Sequence, residues 1–464
     1  MGNANRYFFD GTDAARQTLY RRIVPSERQF EEQQARWNSL ADFLLPILRD
    51  KTGYVTRSWL QGSYKFGTQV RPVRKGDEFD IDLGIYYCWP GIPDDGNFGP
   101  GQLKQFVRDE LKEFERQNDD VVSVTLPKMR CERIRFKGDF HIDVPCYHLD
   151  ADADRRDLAT QDDEWEDSDP KALYEWFKDQ FEHDQRPMVR RLVRYAKAWA
   201  ALKFHEEAAG RPSSVLLTVM VANAVTNDLG LLGDEDDTAL LCVLVDMLQN
   251  VRNGQTVLNP VDHDENLASR MTPEHWAVFA NRLEQFVAVA EAAQAASDEM
   301  TACASWSVAF EFLFPLPEPE IVERVAKSLP VPILLPEIEV HAVSRSNPNV
   351  RYSGTNSIGP IVKDCDLTFK VANADHFLPG TEFSWMVRNN GEEAEDVNDL
   401  GHASGKGVEM HETSAYNGVH YMDCVATRNG RLTSVRRVKV AISSAAAPRR
   451  NPPKPAWTKL RGRR

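Results

Sequence analysis

The stretch that decides the fold is Glu78-Phe79-Asp80-Ile81-Asp82-Leu83-Gly84. On a β-strand alternate side chains face opposite sides, so Asp80 and Asp82 share one face about 7 Å apart, while their apolar neighbours face a core. Two carboxylates on one such face repel each other and lose hydration unless a cation lies between them. Mg²⁺ prefers these oxygen ligands and completes its coordination with water and phosphate. The stretch predicts a metal-binding strand, although Asp-x-Asp alone is also typical of a solvated strand edge.

A second strand is predicted at Phe140-His141-Ile142-Asp143-Val144, where another acid alternates with apolar residues. A third carboxylate, Asp143, would complete a two-metal site, in which ions ~3.5 to 4 Å apart hold the attacking and leaving oxygens of an in-line displacement. His141 lies two residues before Asp143 and therefore shares its face. Whether His141 approaches the metal stays open at this point.

Before the acidic strand comes Gln61-Gly62-Ser63, which we interpret as the end of a strand followed by a Gly-Ser turn. Glycine lets the backbone approach an anion closely, and a serine hydroxyl with neighbouring amides can hold a phosphate. A lone Gly-Ser is most often only a turn. The order of strand, Gly-Ser turn, Asp-x-Asp strand and later Asp strand is much more specific than any of its parts.

Two helical segments follow that carry polar groups suited to phosphate. In VRRLVRYAKAWAALK, residues 189 to 203, Arg190, Arg194 and Lys197 share one face by three- and four-residue spacing. A solvated basic face is the alternative interpretation. Ser213 precedes an apolar run and predicts a helix N-terminus, where a hydroxyl binds phosphate or simply caps the helix.

Composition excludes several classes of protein. The chain has 464 residues and a formal net charge of −14, which disfavours coating of nucleic acid or of an anionic membrane. Its seven cysteines are far apart and form no Cys-x-x-Cys pair, which indicates free thiols in a reducing compartment. No apolar stretch approaches the ~20 residues of a bilayer span. We therefore expect a cytoplasmic protein with no membrane partner.

The order of patterns predicts the domain organisation. Residues 14 to 48 have helical periodicity, the segment from 187 to about 325 is again helical, and SLPVPILLPEIEV breaks helices. Short alternating stretches beyond it indicate a small all-β sandwich. The acidic stretch 150 to 169 is expected to be a solvated loop. The predicted parts are a catalytic lobe with an N-terminal helix at 1–186, a helical lobe at 187–328, a linker at 329–340, a β-rich domain at 341–445 and a basic disordered tail at 446–464.

Residues 14 to 330 resemble the polymerase-beta-like nucleotidyltransferases, whose shared pattern is Gly-Ser, Asp-x-Asp and a later strand acid. More narrowly, they are similar to the bacterial cGAS/DncV-like synthases of cyclic oligonucleotide signals in antiphage (CBASS) defence. The Lys-x-Trp helix at Lys197 and the Ser-rich helix start at Ser213 carry this narrower likeness. The stretch from Asn259 to Ala268 resembles a family segment that usually opens with Asp-Pro, so Asn259 departs from the pattern and we assign this stretch no catalysis.

In the last part of the chain, residues 385 to 394 and 418 to 421 look similar to the adenylyl/guanylyl and SMODS C-terminal sensor domain. That likeness implies a domain that binds a nucleotide or nucleic-acid ligand and regulates the enzyme. His420 and Tyr421 within it are more typical of packing residues than of ligand contacts.

The resemblance implies an α+β fold: a polymerase-beta-like core with a mixed sheet, a helical lobe and a small all-β sandwich. It implies a nucleotidyltransferase that joins NTPs, ATP or GTP above all, into a cyclic di- or trinucleotide, releases pyrophosphate and acts on an effector through its product. Asp80, Asp82 and Asp143 would be catalytic and hold two Mg²⁺ ions, with Mn²⁺ as the alternative. The residues implied to bind nucleotide are Gln61, Gly62, Ser63, Lys197 and Ser213.

Two other functions remain open from the sequence. One is a template-free nucleotidyltransferase that modifies RNA ends or a protein, for which only the basic tail offers a binding segment. The other is a ligand sensor or scaffold with a silent core, against which the intact set of three acids argues.

Overall fold

The computed structural model describes residues 3–13, 16–233, 235–318 and 334–444, which form two compact units, Met1–Phe310 and Glu311–Arg464. Residues 319–328 of the predicted helical lobe, residues 329–333 of the predicted linker and the basic tail at 446–464 lie outside the described residues. The predicted linker was wrong at its end, because residues 338–340 are paired in the strand Ile338–Ser344. No helix in the described ranges is long and apolar enough to cross a membrane.

Helices make up much of the first unit, and several of them begin at a residue whose side chain caps the helix. Ser26 and Gln29 form a reciprocal capping box at the start of the longest helix, and Gly53 ends that helix in a left-handed conformation. The helices are α1 Asn5–Phe8, α2 Leu19–Ile23, α3 Glu27–Thr52, α4 Gly62–Phe66, α5 Pro100–Gln117, α6 Pro170–Asp179, α7 Arg186–Lys203, α8 Ser214–Asn227, α9 Asp236–Asn253, α10 Pro273–Gln294 and α11 Glu299–Phe310, followed in the second unit by α12 Glu392–Asp396.

The strands of the first unit form one mixed sheet in the order β3-β4-β5-β2-β6-β7-β8, with β1 paired to β2. The alternation of apolar and polar residues places one face of the sheet against α3 and α5 in a common core. The strands are β1 Val55–Gln61, β2 Phe79–Cys88, β3 Val121–Val124, β4 Glu132–Phe136, β5 Phe140–Val144, β6 Cys146–Asp150, β7 Arg155–Ala159 and β8 Trp165–Asp167.

The acidic strand β2 is central because three strands pair with it. Its first half, Phe79 to Asp82, pairs in parallel with β5, and its second half, Ile85 to Cys88, pairs in parallel with β6. Strand β5 has the bounds that the sequence predicted, and Pro145 separates it from β6 because proline has no N–H for the ladder. The carbonyl of Pro145 still accepts a bond from the backbone N–H of Ile85.

Two local expectations were wrong. The Gly-Ser turn is the first turn of the short helix α4, which Gly62 enters with φ +56°. The acidic stretch 150–169 is no solvated loop, because it contains β7 and β8. Arg156, which is buried, pairs there with Asp154 and Asp169 and so neutralises part of the charge that suggested a loop.

Helices α7 to α11 pack on one another in the second half of the first unit, and this confirms the predicted helical lobe. Aromatic rings fill the space between these helices: Trp199 of α7 stacks on Phe286 of α10 with centroids 4.8 Å apart. Their contact fixes α7, the helix that carries Lys197, relative to the rest of the lobe.

The second unit is an all-β sandwich, as predicted. A four-stranded sheet in the order β10-β9-β12-β15 and a five-stranded sheet in the order β11-β17-β16-β13-β14 enclose one apolar core. The strands are β9 Ile338–Ser344, β10 Arg351–Thr355, β11 Ser357–Ile361, β12 Cys365–Val371, β13 Thr381–Arg388, β14 Gly401–Lys406, β15 Glu409–Thr413, β16 Gly418–Arg428 and β17 Arg431–Ile442.

Candidate active site

Three adjacent strands bring the charged groups of the site onto one face of the sheet. The register pairs Asp80 with His141 and Asp82 with Asp143 between β2 and β5. It then pairs Asp143 with Arg133 of β4. Partners in register project to the same side of a sheet. The polar residues that alternate with the buried apolar ones therefore form two rows, each running from an aspartate on β2 to an arginine on β4.

Asp143 is held by two cations. The guanidinium of Arg133 contacts both of its carboxylate oxygens, with Nη2 2.7 Å from Oδ2, and Lys128 Nζ lies 3.4 Å from the same Oδ2. Burial opposes ionisation of Asp143, but the hydrogen bonds and charge of Arg133 outweigh it and lower the pKa of this carboxyl. Asp143 is therefore ionised and in a fixed orientation.

Asp82 has the opposite environment. Burial, together with the carboxylates of Asp80 and Asp143, raises its pKa to about 8. Its carboxylate lies directly over Gly62, because a Cβ at that position would be 2.1 Å from Asp82 Oδ2. An enclosed carboxylate that resists ionisation is stabilised by a divalent cation, which supplies the missing positive charge.

Asp80 belongs to a second polar chain on the same face. His141 Nε2 lies 2.9 Å from Asp80 Oδ1, and His141 Nδ1 lies 2.8 Å from Glu78 Oε2. Glu78 in turn accepts from Arg135. Burial works against ionisation of Glu78, yet its bonds to Arg135 and His141 lower its pKa. The side chains that flank Asp80 are thus fixed by ion pairs.

The donor set fits a divalent metal ion. One ligand atom each from Asp80, His141 and Asp143 lies within 4.8 Å of the others. The buried Nε2 atom of His141 makes no hydrogen bond to any described residue. Anionic oxygens beside an unpartnered buried nitrogen are what a cation needs. A divalent metal site at this position is therefore consistent with the chemistry of the residues present.

A cavity of about 410 Å³ opens beside these acids. It brings together residues that are far apart in sequence, including all the implied nucleotide-binding positions. The residues that line it are Gln61, Gly62, Ser63, Phe66, Thr68, Asp80, Asp82, Pro170, Leu173, Trp176, Lys197, Ser213, Ser214, Val215, Thr218, Val219 and Arg270. Asp143 does not line it and lies on the neighbouring strand.

Lys197 is the buried cation of this cavity. It is 4% exposed and donates from Nζ to Thr68 Oγ1 at 3.0 Å. Burial, reinforced by Arg194, lowers its pKa to about 7. A lysine kept so near its neutral form has no full counter-charge in the protein itself. An anionic ligand such as a triphosphate would supply one.

Two of the implied nucleotide-binding side chains already have partners. The amide of Gln61 donates to Tyr86 Oη at 2.7 Å and accepts from Tyr147 Oη at 3.1 Å, two rings that stack on each other. Ser213 Oγ accepts from the backbone N–H of Leu216 and caps α8. Ser63 has no such commitment to a side chain among the described residues, and its role in binding nucleotide stays a prediction, as do those of Gln61 and Ser213.

Comparison with known families gives this geometry a context. Residues 56–147 match the family model described as cyclic GMP-AMP synthase DncV-like, nucleotidyltransferase domain. Residues 320–443 match the Adenylyl/Guanylyl and SMODS C-terminal sensor domain. A cyclic GMP-AMP synthase of Escherichia albertii is 28% identical over 97% of this chain and 98% of its own length.

Over residues 56–147 the chain is similar to the DncV-like nucleotidyltransferases. Among its relatives is also a c-di-GMP synthase of Roseivirga ehrenbergii, 26% identical over 48% of this chain and 64% of that protein. The fold is similar to that of the Vibrio cholerae DncV cyclic AMP-GMP synthase, with a TM-score of 0.57 and 20% identity over 68% of this chain and 98% of that one. These findings confirm the predicted resemblance to DncV-like nucleotidyltransferases, the α+β fold and the likeness of the last part of the chain to the sensor domain.

The sequence analysis did not single out Trp176 and Arg270, which also line the cavity. Trp176 of α6 is half-buried with no ring stacked on it among the described residues, and Arg270 is exposed without a described partner. Arg270 follows the segment that begins at Asn259, which is held by its own bonds, for example from Asn259 Nδ2 to Glu265 Oε2 at 2.7 Å. Only the apolar spacing of α6 pointed to Trp176, and no motif pointed to Arg270.

In the sensor domain, the residues that carry the likeness to the family have structural roles. Trp385 is buried and donates from its indole to the carbonyl of Gly407 at 2.8 Å. His420 has both ring nitrogens occupied by main chain, with Nε2 2.9 Å from the carbonyl of Tyr416 and Nδ1 accepting from the N–H of Asn390. Burial lowers the pKa of His420. These contacts support the packing role that the sequence suggested for His420.

Replacement of Gly62 by alanine tests the close approach between α4 and Asp82. We expect a fall in turnover of about 100-fold or more, because the new Cβ would displace the Asp82 carboxylate by an ångström or so. Steady-state kinetics with NTPs measures this loss. Gly76→Ala is the matched control, since Gly76 has φ +89° but open space around its missing Cβ. Both variants should lose about 1 kcal/mol of stability from backbone strain, and equal turnover in the two would contradict the assignment.

Proposed function

We propose that the chain is a divalent-metal-dependent synthase that joins NTPs into a cyclic di- or trinucleotide with release of pyrophosphate. The observation that carries the proposal is the arrangement of Asp80 and Asp82 on β2, next to Asp143 on β5 and beside a cavity that contains Ser63 and Lys197. Relatives named cyclic GMP-AMP synthase and c-di-GMP synthase support ATP and GTP as the substrates.

Each proposed role follows from the position of the side chain. Asp80, Asp82 and Asp143 hold two Mg²⁺ ions. Bound metal offsets the negative charge of the phosphates and favours loss of a proton from the attacking hydroxyl. Ser63 and the amides at the start of α4 orient the donor triphosphate. Lys197 pairs with its charge, and positioning and charge compensation are the main needs of phosphoryl transfer.

The product distinguishes this proposal from its nearest alternative. The protein is incubated with the four labelled NTPs and a divalent metal, treated with phosphatase and resolved by chromatography and mass spectrometry. A phosphatase-resistant cyclic dinucleotide or trinucleotide is the expected product. A product that loses its terminal phosphates would instead indicate template-free addition to RNA ends or protein, and no product with any NTP would favour a sensor or scaffold with a silent core.

The remaining assignments rest on the family. We propose that the product activates an effector in CBASS antiphage defence, that the enzyme acts in the cytoplasm, and that the catalytic lobe ends at 186 and the β-rich domain at 445. We also propose that the sensor domain regulates synthesis through a nucleotide or nucleic-acid ligand. A ligand screen that monitors both sensor-domain melting and turnover tests this role, and a ligand that shifts melting with no effect on turnover would argue against it.

A further inference from the structure

His141 carries a buried polar atom that the protein itself does not satisfy. The side chain is 6% exposed, and its Nε2 atom has no hydrogen-bond partner within the described ranges. Asp80 Oδ1 lies only 2.9 Å away, but the two groups are not aligned for a hydrogen bond. Buried polar atoms without partners are rare in native proteins, and an ion that binds there is one of the few explanations.

The other nitrogen of the ring indicates which way His141 is protonated. Nδ1 lies 2.8 Å from Glu78 Oε2, and Glu78 is itself held by Arg135. A carboxylate at Nδ1 places the proton there and leaves the lone pair on Nε2, as in the carboxylate–histidine–metal arrangements of many metalloproteins. Two lone pairs, on His141 Nε2 and on Asp80 Oδ1, then face each other across 2.9 Å. They repel unless a proton or a metal ion lies between them, and the third ligand atom, on Asp143, favours the metal ion.

We propose that His141 is a metal ligand through Nε2, together with Asp80 and Asp143, and that this nitrogen makes the site prefer Mn²⁺ to Mg²⁺. The three ligand atoms already lie within 4.8 Å of one another. The inference rests on the proposed function for the existence of a metal site, and it adds a ligand that the Asp-x-Asp and later Asp pattern does not contain.

Coordination chemistry gives the reason for the preference. Mg²⁺ takes oxygen ligands in a strict octahedron, whereas imidazole nitrogen favours first-row transition ions. On β5, Asp143 is the competing donor, but Arg133 and Lys128 already contact its carboxylate. The Nε2 atom of His141 has no such competitor, so it is the donor on β5 that a metal binds with the least rearrangement.

Pulsed electron paramagnetic resonance on the full-length protein with Mn²⁺ alone tests the ligand directly. A nitrogen coupled to the bound Mn²⁺ is expected in the spin-echo modulation, and ¹⁵N-labelling of histidine should change that coupling. His141→Gln should abolish it. The control His183→Gln removes an exposed histidine of the same unit and should leave it unchanged. A bound Mn²⁺ without nitrogen coupling would overturn the proposal.

Metal affinity provides the second readout. We expect His141→Gln to weaken Mn²⁺ binding by about tenfold or more and Mg²⁺ binding, measured by competition, by about threefold at most. If that variant does not fold, Glu78→Gln keeps the imidazole but frees its orientation, and a loss of Mn²⁺ affinity of about tenfold is expected. An unchanged ratio of the two affinities would mean that His141 only pairs with Asp80.

The experiments distinguish failure of the His141 proposal from failure of the proposed function. A cyclic product made with Mg²⁺ by a protein that shows no nitrogen coupling would overturn the role of His141 and leave the synthase assignment intact. Nitrogen coupling in a protein that forms no cyclic product from any NTP would do the reverse.

Discussion

Asparagine at both Asp80 and Asp82 is expected to lower nucleotide transfer by at least about 1000-fold while the fold remains intact. Both side chains border the cavity, and the carboxylate charge they lose is the charge that a divalent cation requires. Asparagine keeps their volume and one acceptor oxygen, so the packing of β2 does not change. Pyrophosphate release from NTPs measures the loss, and circular dichroism verifies the fold.

The same double substitution is expected to stabilise the protein when no metal is bound. The pKa of Asp82 is raised to about 8 in the folded protein, above its unfolded value, because of burial and the neighbouring acids. The folded state therefore binds this proton more tightly than the unfolded state. Its stability declines as pH rises from the unfolded pKa of Asp82 to the folded value of about 8. In EDTA, the double variant should lose this decline and be more stable than the wild type at pH 8.

Asp262→Asn with Asp264→Asn is the matched control, because it removes two charges at the same spacing from a loop outside the cavity. Turnover within about twofold of wild type is expected there. Retained turnover in the Asp80 and Asp82 variant would refute the metal assignment. An equal loss in both double variants would point to a general effect of charge.

Lys197→Met is expected to lower turnover by about 100-fold or more and at the same time to stabilise the protein. The loss of turnover follows from removal of the buried cation that would face the triphosphate. The gain in stability, about 1 to 3 kcal/mol at pH 7, follows because an apolar side chain of similar length replaces an enclosed amine that resists protonation.

The pH dependence identifies the cause of that gain. Burial lowers the folded pKa of Lys197 to about 7, below its unfolded value, so the unfolded chain binds more protons between the two values. The contribution of this group to stability therefore rises with pH across that window. Urea unfolding at pH 7 and pH 9.5 should show the advantage of the variant shrinking at the higher pH.

Lys203→Met serves as control, because Lys203 lies on the same helix α7 but does not line the cavity. We expect wild-type turnover and no pH-dependent gain from it. If Lys197→Met were as much more stable than the wild type at pH 9.5 as at pH 7, the charge of the buried amine would not be the cause of the stability difference.

Much of this arrangement could be predicted from alternation alone. Asp80 and Asp82 share a strand face because side chains alternate, and the buried residues between them anchor that strand to the core. Helix α7 was predicted from its apolar stripe, and the order of motifs predicted the likeness to DncV-like nucleotidyltransferases. These inferences succeeded because each depends on contacts within a few residues of the chain.

The failures had two causes. The acidic stretch was predicted as a loop from its charge alone, but Arg156 within it neutralises part of that charge by pairing with Asp154 and Asp169. Trp176 and Arg270 reach the cavity from α6 and from a loop about ninety residues later. No local sequence pattern predicts that a side chain will contact a strand from a distant part of the chain.

The sequence by itself determined the chemistry of the site, since three acids on apolar strands and a lysine on an amphipathic helix are properties of local periodicity. Tertiary structure decided how those groups differ. Register set His141 beside Asp80 and Arg133 beside Asp143, and burial raised the pKa of Asp82 while ion pairing lowered that of Asp143. Solvation and charge depend on every neighbour within a few ångströms, and those neighbours come from four separate segments of the chain.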